Sequence, residues 1–212
     1  MNDKLARSLK RPHVFKPAAD PANSSTIVLL HGTGADEKDL LGLAAPLDPN
    51  ANVLSPRGMA HYQGMDRFFI RRDDGTFDQK SLFEGIDQLY EFLQNAFFEY
   101  GIDENRVWLV GFSNGASMAH SLLQVHPEVA LGVVAFGTNK VMEKPLVPAP
   151  NLAGKKVFIA NGAADAYSPA DTVAELIAQL QSYGAEVDYK LHPGGHTIAM
   201  EHVRAIGAEL VK

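Results

Sequence analysis

Residues 107–125 read VWLVGFSNGASMAHSLLQV. Four apolar residues, Val107 to Val110, run into Gly111-Phe112-Ser113-Asn114-Gly115. A helix-like stretch from Ala116 to Val125 follows without a break. Gly-x-Ser-x-Gly between a strand and a helix describes a sharp, strained turn that lifts the serine hydroxyl off the end of a sheet. Glycines flank the serine because a side chain there would collide with the adjoining strand or helix. By chance, about 0.07 such pentapeptides would arise in a chain of this composition, so the motif takes its weight from its flanks.

Outward from this stretch, short apolar or β-branched runs alternate with longer amphipathic ones, the pattern of a mostly parallel sheet covered by helices on both faces. Strands are expected at Thr26 to His31, Asn52 to Ser55, Arg106 to Val110, Gly132 to Phe136, Lys156 to Ala160 and Glu186 to His192. Helices are expected around Glu37 to Ala45, Gln79 to Tyr100, Ala116 to Val125, Pro169 to Tyr183 and Ile198 to Leu210. Leu82, Phe83, Ile86, Leu89, Tyr90, Leu93 and Phe97 form one apolar stripe on the longest of these, and Gly101 ends it. The stretches from Pro56 to Phe77 and from Gly137 to Gly154 look irregular. Each follows a strand and so belongs at the carboxyl edge of the sheet, where open α/β folds bind ligands. Neither is long enough for a large cap, so the expected site is shallow and open.

The length of 212 residues fits a single domain. A net charge of −6 disfavours nucleic acid as a partner. Absence of cysteine excludes disulfides, thiolate metal sites and a cysteine nucleophile. No signal peptide and no apolar run of membrane-spanning length is visible, so the expected location is cytoplasmic. Residues 1–25 read as an N-terminal segment leading into an edge strand, with Lys4, Arg7, Lys10 and Arg11 fitting that better than a transit peptide. Asn23-Ser24-Ser25 is formally a glycosylation sequon, without weight in the absence of a secretory signal.

A serine hydroxyl becomes a useful nucleophile only beside a base, and the base needs an acid to fix its tautomer. In the chain order this fold implies, serine then acid then histidine, the acid should follow the strand ending at Ala160. Asp165, in Asn161-Gly162-Ala163-Ala164-Asp165, takes that place. Asp171, Asp188 and Glu186 fall inside a helix or strand and read as solvated charges. For the histidine, His192 and His196 flank Pro193-Gly194-Gly195. His196 is preferred, because the glycine pair lets its loop turn inward while His192 is still in or near the strand.

The backbone N–H groups of Asn114 and of Thr33, in the turn after His31, would form the oxyanion hole. His120 and His126 read as surface or helix-end residues, and His13, His61 and His202 show no partner pattern. His31, Asp36 and Asp39 lack metal-ligand spacing, so no metal is expected, and Gly32-x-Gly34 lacks the third glycine and the lysine of a phosphate loop. Met65, Phe68, Phe69, Phe136 and Met142 are candidates for an apolar acyl or aryl pocket. Arg57, Arg71 or Arg72 would attract a carboxylate or phosphate. Core packing and a solvated face are equally good readings of these two groups.

With these residues placed, the chain resembles the phospholipase/carboxylesterase family of α/β-hydrolases, which includes acyl-protein thioesterases. The resemblance runs from Thr26 onward and rests on His31-Gly-Thr-Gly-Ala-Asp36, Gly111-Phe-Ser-Asn-Gly115, Asn161-Gly-Ala-Ala-Asp165 and Gly194-Gly-His196. Gly64-Met-Asp-Arg-Phe-Phe69 and Phe77-Asp78 point to a bacterial carboxylesterase branch that includes hydroquinone-linked dioxygenase/hydrolases.

The resemblance implies an α/β-hydrolase fold without a large cap, Ser113 as nucleophile, Asp165 as acid, His196 as base and no cofactor. The chain departs from it at Asn161-Gly162, where members carry His-Gly, and at Asn114-Gly115, where thioesterases carry Gln-Gly. The implied activity is a serine carboxylesterase acting on small or medium acyl or aryl esters. The alternatives are an acyl thioesterase or lysophospholipase with the same machinery, and a non-catalytic binding protein on a hydrolase scaffold. A small-molecule ester is the expected partner. Capless hydrolases often pair through exposed apolar surface, so a homodimer is compatible with the pattern, although no sequence feature selects it.

Overall fold

The computed structural model describes residues 9–211, so Lys4 and Arg7 of the N-terminal segment lie outside the described residues. In chain order the elements are β1 (His13–Lys16), β2 (Thr26–Leu30), α1 (Ala44–Leu47), β3 (Asn52–Pro56), β4 (Ala60–Tyr62), β5 (Met65–Arg67), α2 (Gln79–Tyr100), β6 (Val107–Phe112), α3 (Asn114–Val125), β7 (Gly132–Phe136), β8 (Lys156–Gly162), α4 (Ala170–Ser182), β9 (Glu186–His192) and α5 (Met200–Leu210). Seven strands form one sheet in the order β1-β3-β2-β6-β7-β8-β9, with β1 antiparallel at its edge and the rest parallel. Both faces are covered, which is why the central strands are continuous apolar runs. Val28, Leu30, Leu109 and Val133 pack with α2, α3 and α4, while Ile27, Leu29, Val110 and Val134 pack with α1 and α5. No helix among the described residues is long and apolar enough to cross a membrane.

Leu82, Ile86, Leu89, Leu93 and Phe97 of the α2 stripe are buried as their spacing requires, whereas Tyr90 is half-buried and Phe83, at the stripe's edge, is exposed. Asp78 caps that helix by accepting from the Ser81 N–H at 2.9 Å, and Gly101 ends it with a left-handed φ of 65°. The first expected helix is different. Instead of running from Glu37 to Ala45, the chain forms turns, a short 3-10 segment at Leu41–Leu43 and one helical turn at Ala44–Leu47. Side-chain bonds hold this stretch instead: the Glu37 carboxylate is gripped across the chain by Arg57 Nε at 2.5 Å and Nη2 at 3.0 Å, and Asp36 accepts from the Lys38 N–H.

The stretch after β3 is also more ordered than its sequence suggests. β4 and β5 form an antiparallel hairpin whose two turn residues, Gln63 and Gly64, have φ of 52° and 74°. Positive φ at both central positions is the geometry of a two-residue hairpin turn. The hairpin docks on the sheet edge, where the Gly34 N–H donates to the Asp66 carbonyl at 2.8 Å.

Candidate active site

β6 runs two residues further than expected and α3 starts two residues earlier, which leaves Ser113 alone between strand and helix. Its backbone sits at φ 54°, ψ −117°, a conformation that costs an L-residue on the order of 1–3 kcal/mol and persists only when its surroundings enforce it. The Ser113 N–H donates to the Phe136 carbonyl at 2.9 Å and so ties the turn to β7. At Gly115 the helix passes so close to β2 that a Cβ would lie 2.0 Å from the Leu30 carbonyl oxygen. The second glycine of the motif is therefore required by contact with the neighbouring strand.

The side chains of Ser113, His196 and Asp165 meet at the carboxyl edge. His196 Nε2 is 2.9 Å from Ser113 Oγ, and His196 Nδ1 is 2.7 Å from Asp165 Oδ2. A carboxylate beside Nδ1 places the ring proton there and leaves Nε2 free to accept from the serine hydroxyl. The imidazole is held between the rings of Phe112 and Tyr167, with centroids 4.9 and 5.0 Å away.

The Asp165 side chain is fully shielded from solvent. Burial pushes its carboxyl up, but hydrogen bonds from His196 and from the Tyr167 N–H outweigh that and hold it below the ordinary value of 3.8. His192, the rival histidine, points into its own loop. Its Nδ1 accepts from the Gly194 N–H at 3.1 Å, and its Nε2 donates to the Thr197 carbonyl at 3.2 Å, bracketing the residues that carry His196.

Thr33 and Asn114 both line the cleft beside Ser113. The Thr33 N–H has no hydrogen-bonding partner among the described residues. Asn114 opens α3, so its N–H is one of those at a helix start that have no intrahelical acceptor. Below this turn lies His31. Its Nε2 accepts from the Gly58 N–H at 2.9 Å, so Nδ1 carries the proton and donates to the Gly32 carbonyl at 2.7 Å. Burial lowers the His31 pKa against the opposing bond to Gly32 and the charges of Asp39, Asp36 and Asp66, favouring the neutral ring this arrangement needs. With both nitrogens bonded to backbone, His31 is unavailable as a ligand, and no cluster of three or more metal-binding side chains occurs among the described residues.

Of the expected pocket residues, Phe69 and Arg71 line a cleft of about 700 Å³ above Ser113. Phe68 and Met142 lie in the core at 2% exposure, Phe136 is fully buried, and Met65 packs against Gly34 beneath the turn. Arg72 is on the cleft wall but paired with Asp78 at 2.9 Å, whereas Arg57 is absorbed by Glu37. His120 also departs from expectation. Far from being a surface residue it is 1% exposed, and burial drops its pKa to about 4 despite an opposing hydrogen bond to the Asn139 carbonyl.

Two side-chain amides were missed as positioning groups. Asn114 Oδ1 accepts from the Phe68 N–H at 2.7 Å, and its Nδ2 donates to the Phe69 carbonyl at 3.0 Å, fixing the cleft wall to the elbow. Asn161 does the same between β8 and the loop after β7, with both the N–H and the carbonyl of Thr138 bonded to its amide.

An imidazole poised to take a proton from a strained serine, with two N–H donors alongside, can add an alkoxide to a carbonyl carbon and stabilise the resulting oxyanion. Comparison with known proteins agrees with a hydrolase. The chain is 35% identical over 191 residues to MhqD of Bacillus subtilis (strain 168), covering 88% of this chain and 90% of that protein. The crystal structure of a Bacillus cereus carboxylesterase superposes with a TM-score of 0.89 at 36% identity, covering 95% of this chain and 94% of the other. A Mesorhizobium loti carboxylesterase superposes with a TM-score of 0.81 at 32% identity over 88% of each chain. The sequence model of the phospholipase/carboxylesterase family matches residues 11–211. The chain is a member of the phospholipase/carboxylesterase family of α/β-hydrolases.

Proposed function

We propose that the protein is a serine carboxylesterase for small to medium acyl or aryl esters, working through an acyl-enzyme. The observation that carries this reading is the strained Ser113 with its Oγ 2.9 Å from an imidazole whose other nitrogen meets a buried carboxylate. In the first step Ser113 Oγ bonds to the ester carbon while its proton passes to His196 Nε2. The N–H groups of Thr33 and Asn114 hold the oxyanion. Collapse breaks the carbon–oxygen bond to the alcohol, which leaves with the proton from His196. Water then repeats the sequence on the acyl-enzyme and releases the acid, restoring Ser113. The cleft of about 700 Å³ has room for such substrates.

A fluorophosphonate probe tests this directly. Wild-type protein is expected to take up one label at Ser113, and Ser113→Ala none. A wild type that resists the probe as fully as the variant would instead fit a non-catalytic scaffold. Thioesters and lysophospholipids call on the same groups, so a substrate panel that varies both acyl chain and leaving group separates them. Long-chain thioesters turned over far faster than short p-nitrophenyl esters would overturn the preference for esters.

The path of the His196 loop supplies a second test away from the reacting atoms. A Cβ on Gly162 would sit 2.1 Å from the Gly195 carbonyl oxygen and 2.3 Å from that of Gly194, so Gly162→Ala must push this loop off the end of β8. Misplacing a catalytic group by about 1 Å costs roughly 10²-fold. The expected result is a kcat on p-nitrophenyl butyrate lowered by about that factor, with the circular dichroism of the wild type retained. A folded variant with wild-type kcat would show that the imidazole at 196 does not take part.

A further inference from the structure

The cationic groups around the cleft are not equivalent. Arg72 is neutralised by Asp78, while Arg71 spends its Nε on the Gly75 carbonyl at 3.1 Å and lies between the rings of Phe77 and Tyr167. Arg67 is different from both. It lines the same cleft as Ser113, is only 5% exposed, and its side chain has no hydrogen bond or ion pair among the described residues. Its Nε is shielded from solvent with no partner at all, and the nearest compensation is the face of Tyr62, 5.6 Å from the guanidinium carbon. A buried guanidinium is costly unless something pairs with it, so an unpaired one on a cleft wall favours binding of an anionic group.

The position of this charge is fixed by the catalytic turn itself. On one side of Arg67 the Asp66 carbonyl accepts from the Gly34 N–H at 2.8 Å, and on the other the Phe68 N–H donates to Asn114 Oδ1 at 2.7 Å. The backbone of Arg67 is thus gripped by residues neighbouring the two N–H groups assigned to the oxyanion hole.

We propose that Arg67 anchors a carboxylate carried by the substrate, so that the preferred esters are half-esters of small dicarboxylic acids. This rests on the esterase reading above and deepens it. Hydrolysis is unchanged in its chemistry: the ester carbon–oxygen bond breaks, water supplies the hydroxyl, and an alcohol and a dicarboxylate leave.

The guanidinium fork can hold either a carboxylate or a phosphate through two parallel bonds, and charge selects the carboxylate. Asp39 and Asp73 also line the cleft, so a dianion would face like charges that a single unpaired arginine cannot offset. Asp73 is itself held by Tyr62 Oη and Gln63 Nε2 and does not reach Arg67. The net charge of −6 does not prevent capture, because exposed charges beyond about 8 Å are screened at physiological salt.

The experiment compares monoethyl glutarate with ethyl methyl glutarate in a pH-stat, using wild type, Arg67→Gln and Arg67→Lys. Wild type is expected to favour the half-ester through a lower KM. The ratio of the two kcat/KM values should fall by about tenfold or more in Arg67→Gln, with partial recovery in Arg67→Lys. A wild type that treats both esters alike overturns the proposal without any variant, as does a ratio unaltered by Arg67→Gln. Inorganic phosphate inhibiting more strongly than glutarate would overturn the choice of carboxylate. Turnover of neither ester would count against the esterase reading instead. In that case glutarate slowing fluorophosphonate uptake in wild type, and not in Arg67→Gln, supports Arg67 as the anchor, and no slowing rules it out.

Discussion

Ser113→Ala is expected to lower kcat on p-nitrophenyl butyrate by about 10⁵ to 10⁶, and His196→Ala by about as much, because each leaves the other without a task. Among the described residues the serine Oγ meets one base, His196 Nε2 at 2.9 Å. The double variant should therefore be hardly slower than either single one, retaining the rate that oxyanion donors and binding alone supply, about 10³-fold above water. Multiplicative losses in the double variant would mean that the two side chains act independently. The comparison with His192→Ala sharpens this. His192 is bonded to Gly194 and Thr197 on either side of the loop, so its removal loosens the loop and should cost far less than removal of His196. If His192→Ala is the more damaging change, the base has been assigned to the wrong ring.

The strand-turn-helix at residues 107–125 is legible because its information is local: an apolar run, small residues at the contact points and an uninterrupted helical stretch. α2 is legible for the same reason, with Gly101 as punctuation, while its Asp78 cap emerges only in the structure. What escapes is written across long sequence separations. The β4–β5 hairpin has three-residue strands, too short for any period to show, and its one local signal is the Gln63-Gly64 turn. Asn114 acts on a segment about 45 residues away, and Asn161 on one 23 residues away. Nothing in composition distinguishes such an amide from a solvated one.

The arginines make the point most sharply. Arg57, Arg71 and Arg72 look alike in sequence and differ in the structure by what reaches them, Glu37 for the first, the Gly75 carbonyl for the second and Asp78 for the third, while Arg67 stands out because its buried Nε meets no partner among the described residues. His120 fails as a surface residue for a related reason. α3 is covered by the sheet on one side and by α2 and the loop after β7 on the other, so even its polar positions are enclosed.

Asp165→Asn should reduce kcat by about 10⁴ while leaving the fold and the position of the ring unchanged. The loss comes from the tautomer. A carboxylate at 2.7 Å can only accept, which keeps the proton on Nδ1 and the lone pair on Nε2. An asparagine that turns its amide nitrogen toward Nδ1 reverses both, so Nε2 presents a proton to Ser113 and cannot take one. The stability of the same variant has a defined pH dependence. The folded Asp165 carboxyl lies below its ordinary value of 3.8, so its ionised form stabilises the native state at pH values above that figure. This contribution is lost only as pH falls through the lower, folded value. Urea midpoints of wild type and Asp165→Asn should accordingly differ at pH 7, with wild type the more stable, and converge as the pH drops below about 3.8. A gap that persists unchanged into strong acid would show that the asparagine disturbs packing and not charge, and the kinetic loss would then say nothing about the tautomer.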